Sequence, residues 1–143
     1  MKTYRWILTG AFAALFMTTA AQAQTTNVRA EVPFSFIAGD RQYPAGEYNV
    51  KSIAAQGPVI GVSSVGGQDI NLLMSNACRT SEVNVPDQTK LVFRQIGDNY
   101  FLYQVWTQGN QAGREFARSK AERMLAQNHE PSDLVIVAAN IAQ

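Results

Sequence analysis

Apolar and polar residues alternate with period two from Val28 onward. Val28, Ala30, Val32, Phe34 and Phe36 fall on one side, and Arg29, Glu31, Pro33 and Ser35 on the other. That period predicts a strand with one covered face. Pro33, which has no N–H for a ladder, places the strand at an edge or a bulge. Gly39-Asp40 ends the run, and Tyr43-Pro44-Ala45-Gly46 is a tight-turn signal. Further strands are expected over residues 47–53, 59–65 and 69–74, with Gly66-Gly67 placed for a hairpin turn. Residues 75–88 carry little pattern and read as a long connection with a short extended piece at 83–85.

The strongest hairpin signal is 90–96 and 100–107 joined through Gly97-Asp98-Asn99. Here both faces are apolar. Leu91 and Phe93 oppose Val92 and Ile96, while Phe101, Tyr103 and Val105 oppose Leu102 and Trp106. Both faces should therefore be covered. From 113 to 128 the composition changes to good helix formers, with Ala117, Ala121, Met124 and Leu125 as an amphipathic stripe. Arg118 with Glu122, and Glu115 with Arg118, have the spacing of a solvated helical face. His129-Glu130-Pro131 ends this helix, and the apolar run 134–139 reads as a buried strand. The expectation is a mainly β domain: an antiparallel small barrel or sandwich of about seven strands, with one amphipathic helix at about 113–128 before the last strand.

The first residues have a different character. Lys2 and Arg5 precede an apolar stretch from Trp6 to Met17, and Ala21-Gln22-Ala23 fits the small-x-small pattern of a signal-peptidase site. About a dozen apolar residues fall short of the roughly 20 needed to span a bilayer. Residues 1–23 are thus expected to be a signal peptide cleaved between Ala23 and Gln24, leaving 24–143 as one extracytoplasmic domain, periplasmic or secreted, with no transmembrane segment. Losing Lys2 and Arg5 turns the formal charge of +1 into about −1, and a near-neutral chain has no electrostatic footprint for nucleic acid.

Chemistry is sparse. Cys78 is the sole cysteine and His129 the sole histidine. No internal disulfide or zinc pattern can be built, although Cys78 could bridge two chains, and no cofactor is implied. The catalytic Ser-x-x-Lys, His-Glu-x-x-His and glycine-rich phosphate motifs are absent, so no catalytic residue is assigned. Glu31, Asp40 and Glu47 lie near the first turns and could approach one another as a carboxylate pair. Arg94 stands in the middle of an apolar strand. A buried arginine there needs a carboxylate or carbonyls around it, or it anchors an acidic ligand. With Tyr103 and Trp106 it forms the candidate ligand-binding set; the aromatic residues line a pocket or fill a solid core.

The segments Val32-Pro33-Phe34-Ser35-Phe36 and Pro44-Ala45-Gly46-Glu47-Tyr48, followed by Lys90-Leu91-Val92-Phe93, Tyr100-Phe101-Leu102, Val105-Trp106 and Gly113-Arg114-Glu115, resemble a family of small exported bacterial proteins. The resemblance spans about residues 32–125. It implies an extracytoplasmic bacterial protein and carries no assigned activity, so no functional residue is transferred. Three functions fit the sequence. One is a non-enzymatic binding or envelope-associated β module holding a small apolar or acidic ligand or a protein partner. Another is a carboxylate-dependent hydrolase of the cell envelope. The third is a structural subunit that assembles through a strand edge or Cys78.

Overall fold

The computed structural model describes residues 26–54, 57–79, 86–128 and 133–142. The expected leader with Ala23 and Gln24, the extended piece at 83–85 and His129 lie outside the described residues. Within them the chain is mainly β. In β1 (Asn27–Val32), Val28, Ala30 and Val32 are buried while Arg29 and Glu31 face out, as the alternation requires. The strand stops one residue before Pro33, where the ladder would lose a donor. Instead of running on, the chain forms a small hairpin of β2 (Phe36–Ala38) and β3 (Arg41–Tyr43). Gly39 turns it at a φ of 64°, a left-handed conformation that favours glycine.

Next come β4 (Gly46–Ser52), β5 (Val59–Ser64) and β6 (Asn71–Arg79). The two-faced hairpin follows as β7 (Lys90–Ile96) and β8 (Asn99–Trp106). Then come β9 (Ala112–Phe116), α1 (Lys120–Ala126), β10 (Asp133–Ala138) and β11 (Asn140–Ile141). The described strands therefore number eleven rather than about seven. β6 extends five residues beyond the expected strand because β9 pairs with it from Ser75↔Phe116 to Arg79↔Ala112.

The expected helix over 113–128 is the main correction. Its first part is β9, which fills the place between β6 and β8, and the helix is only the seven residues of α1. Pairing on both edges outweighs a helical propensity worth a few tenths of a kcal/mol per residue. The proposed stripe is not the covered side either. Ala117, Ala121 and Met124 are exposed and Leu125 is half-buried, and the one buried residue of α1 is Glu122. The run 134–139 also differs from expectation. As β10 it pairs on one side only, with β7, and Leu134 and Ile136 are 58% and 56% exposed.

The strands form one sheet in the order β10-β7-β8-β9-β6-β5-β4-β1-β11, antiparallel throughout except where β2 meets β8 at Ile37↔Phe101. β10 and β11 stand at its two ends yet are separated in the chain by Ala139 alone. The sheet thus curls around one core without its ladder closing. That core is filled by interlocking rings: Phe36 against Tyr43, Tyr48 and Phe93 at 5.0–5.3 Å between centroids, and Phe34 stacked on Tyr100 at 4.1 Å. Each such pair adds about 0.5–1.5 kcal/mol to the apolar burial. No helix among the described residues is long and apolar enough to cross a membrane.

Candidate functional site

The sequence singled out Arg94, Tyr103 and Trp106, and all three lie on the outer face of the β7–β8 hairpin, away from the ring-filled core. Val92 pairs with Gln104 and Phe93 with Leu102, so Tyr103 is the extra residue of a bulge. The bulge lays its ring beside Arg94, whose guanidinium carbon sits 3.7 Å from the ring centroid, a cation–π contact. The same guanidinium donates through Nη1 to Oε1 of Glu122. Both residues are buried. Arg118 reaches the same carboxylate oxygen at 3.7 Å from solvent. α1 therefore rests on β7 through an ion pair, and Val92, Ile96, Phe101 and Trp106 are buried on the hairpin outside the main core.

Glu122 was assigned to a solvated face, and its burial is the clearest residue that pattern missed. A signal was present. Ser119-x-x-Glu122 has the spacing of a helix start, and the Ser119 hydroxyl accepts the Glu122 N–H at 3.1 Å. Fixing the start there turns Glu122 toward the sheet. Trp106 lies apart from Arg94, flat over Gly113, where a Cβ would come within 2.7–2.9 Å of the indole. Its Nε1 donates to Gln104, whose amide donates to Glu115. This cluster is assembled and largely covered, so its polar groups already serve one another.

Cys78 is half-buried on β6 opposite Gly113. Burial, with the charge of Glu115 second, pushes its thiol up, which keeps it protonated and slow to exchange. Among the carboxylates, Glu31 and Glu47 do meet, as directly opposed residues of β1 and β4. Arg29 takes Glu47 in a bidentate pair at 2.5 and 2.9 Å. That hydrogen bonding holds the Glu47 carboxyl below the usual carboxylate range. Asp40 stands apart in the β2–β3 turn. Among the described residues no group of three or more His, Cys, Asp or Glu is placed to hold a metal.

Two concave surfaces lie elsewhere, one on the outer face of the paired strands β5, β4, β1 and β11 and one at the seam where the sheet fails to close. One is a hollow of about 530 Å³ lined by Asn27, Arg29, Asn49, Lys51, Ser63 and Asn140, with Ile141 and Ala142 at its edge. Its charged residues are both cationic. Ser63 is only 8% exposed, and among the described residues its hydroxyl, like the side chains of Asn49, Lys51 and Asn140, has no hydrogen-bond or ion-pair partner. The second is a groove of about 710 Å³ between β1 and β10. On the same outer face as the hollow, next to Lys51, Ile53 and Ile70 close over Gly61 and, with Leu72 and Met74, leave an exposed apolar face on β5–β6. Sequence patterning could not find the hollow, because its residues are ordinary outward-facing polar positions on four strands and only strand order makes them neighbours. No family model, curated protein or solved structure matches the chain.

Proposed function

We propose that this is an exported, non-enzymatic binding module, an incompletely closed β-barrel, whose hollow on the outer face of β1, β4, β5 and β11 takes a small hydrophilic anion. The observation that carries this is the ammonium of Lys51, which has no ion-pair partner among the described residues and lines the hollow beside the side chains of Ser63, Asn49 and Asn140. An oxyanion there accepts from the Lys51 ammonium and the Ser63 hydroxyl, and a hydrogen bond to a charged group contributes about 1.5–3 kcal/mol. Asn49 and Asn140 add neutral donors and no carboxylate is in the lining; Arg29 is already paired with Glu47, which leaves Lys51 as the uncompensated cation. Export rests on the leader pattern at residues 1–23.

The ring-filled core argues against an apolar guest inside the sheet. The hydrolase alternative has the Glu31–Glu47 pairing in its favour. Against it, Arg29 holds Glu47 ionised, which removes that residue as a proton donor. The test is titration of the 15N-labelled protein with citrate, acetate and inorganic phosphate at constant ionic strength. Saturable amide shifts at Asn49, Lys51 and Ser63 that vanish in Lys51→Ala support the hollow, and the tightest of the three probes separates a carboxylate from a phosphate ligand. Shifts absent there, or unaffected by Lys51→Ala, overturn it.

A further inference from the structure

The groove between β1 and β10 goes beyond that reading, because what faces it is backbone. β11 pairs with β1 through Val28↔Ile141 and Arg29↔Asn140, and the Ala142 N–H donates to the Asn27 carbonyl. The next rung in this register would be Glu31 with Ala138, and that rung is not made. Backbone groups of alternate residues point to opposite edges of a strand. The Thr26 carbonyl accepts from Ser52 on the β4 side, so the backbone of Asn27, Arg29 and Glu31 faces the seam. The Ala139 N–H donates to Thr89 on the β7 side, so that of Leu134, Ile136 and Ala138 faces the seam as well. Pro33 brings no N–H to the β1 wall. The gap thus opens beyond Arg29–Asn140, where the β1–β11 pairing ends, and among the described residues the seam-facing backbone of Leu134, Ile136 and Ala138 on the β10 wall has no strand partner, with Glu31 near the paired end.

We infer that this gap is a strand-addition site for an extended segment of a partner protein carrying alternating apolar and basic residues. Unpaired strand edges supply affinity for such segments through main-chain hydrogen bonds, and the side chains beside them select the sequence. Ile136, more than half exposed and lining the groove, offers contact to an apolar residue. Glu31 supplies the selection for charge. Arg29 neutralises Glu47, whereas Glu31 has no ion-pair partner among the described residues, so the groove presents one uncompensated carboxylate to the incoming strand.

The probe is a terminally blocked seven-residue peptide of alternating lysine and valine, with a glutamate–valine peptide as its counterpart, added to the 15N-labelled protein. Binding of the lysine peptide should slow hydrogen exchange at the Ile136 and Ala138 amides and shift Glu31. Replacing Glu31→Lys should weaken that peptide about tenfold, as like charges replace unlike ones, and should favour the glutamate peptide. The inference is overturned if neither peptide protects those amides, or if Glu31→Lys leaves the lysine peptide's affinity unchanged. It is also overturned if the amides are already protected without peptide in a protein that sediments as a dimer, since a second copy then holds the edge. Lys51→Ala should leave peptide binding intact, which separates failure here from failure of the anion hollow.

Discussion

Arg94 of β7 and Glu122 of α1, 28 residues apart, form a buried ion pair that fastens the helix to the outer face of the sheet. With Met124 exposed and Glu122 as its one buried residue, α1 has little apolar adhesion of its own. Seven residues are also too few for a helix to persist alone in water. The pair therefore decides whether the helix stays docked.

Removing one partner should be costly and removing both should not. Glu122→Leu leaves an uncompensated cation under the helix, and breaking a buried pair in this way costs about 3–5 kcal/mol. Arg94→Met alone strands the carboxylate in the same manner. The double variant should recover most of the loss, because apolar side chains of similar volume often replace a buried pair at little net cost. Urea unfolding of the two single variants and the double variant measures the coupling directly. Additive losses would mean that the two side chains do not act as a pair.

Gly113 should tolerate no side chain. A Cβ there would stand 2.7–2.9 Å from three atoms of the Trp106 indole, so the ring must shift. Overpacking of this kind costs about 1–3 kcal/mol. Besides Trp106, the chain has only Trp6, so fluorescence of a protein made without residues 1–23 reads this contact alone. Gly113→Ala should shift the emission to the red and lower the unfolding midpoint together. An unchanged spectrum would show that the indole does not rest on the glycine.

How much of this was legible in the sequence depended on how local the cause was. The alternation from Val28 held to Val32 but not on to Phe36, and the hairpin expected at 90–96 and 100–107 formed at 90–96 and 99–106, because period two and a Gly97-centred turn are written into consecutive residues. Its faces were only partly legible, since the bulge at Tyr103 puts Val105 in the core with Leu102 and leaves Phe101 outside with Trp106, not Phe101 with Val105 as the alternation implies. β9 did not, since Ala112–Phe116 is extended only because β6 and β8 each offer it an edge. The apolar run 134–139 gave the right element, β10 at Asp133–Ala138, and the wrong burial. Continuous apolar character does not reveal that one edge lies at an open seam. Arg94 could be read as needing a partner, and Glu122 could not be named as that partner without the chain path.

Stability should fall at both ends of the pH scale for separate reasons. The hydrogen bonds from Arg29 hold the Glu47 carboxyl low in the folded state. Its contribution is therefore present above the ordinary glutamate value, about 4.3, and is lost as pH falls through the lower folded value. Both side chains are exposed, so this limb is shallow. Burial raises the phenols of Tyr43 and Tyr48. Their contribution is full below about pH 10 and is lost as pH rises through the raised values. Urea midpoints across pH should show Glu47→Gln flattening the acid limb and Tyr43→Phe with Tyr48→Phe moving the alkaline one.

The two tyrosines should differ at neutral pH. The Tyr48 hydroxyl donates to the Pro44 carbonyl at 2.7 Å, and losing that bond in Tyr48→Phe should cost about 1 kcal/mol. The Tyr43 hydroxyl is buried without a hydrogen-bond partner. The Asn71 carboxamide lies near it but donates to the Ala38 carbonyl instead. Tyr43→Phe keeps the ring stacked on Phe36 at 5.1 Å and removes only the stranded oxygen, so it should be neutral or stabilising by up to about 1 kcal/mol. A loss as large as that of Tyr48→Phe would mean that the Tyr43 hydroxyl finds a partner in solution, with Asn71 the nearest group able to turn toward it.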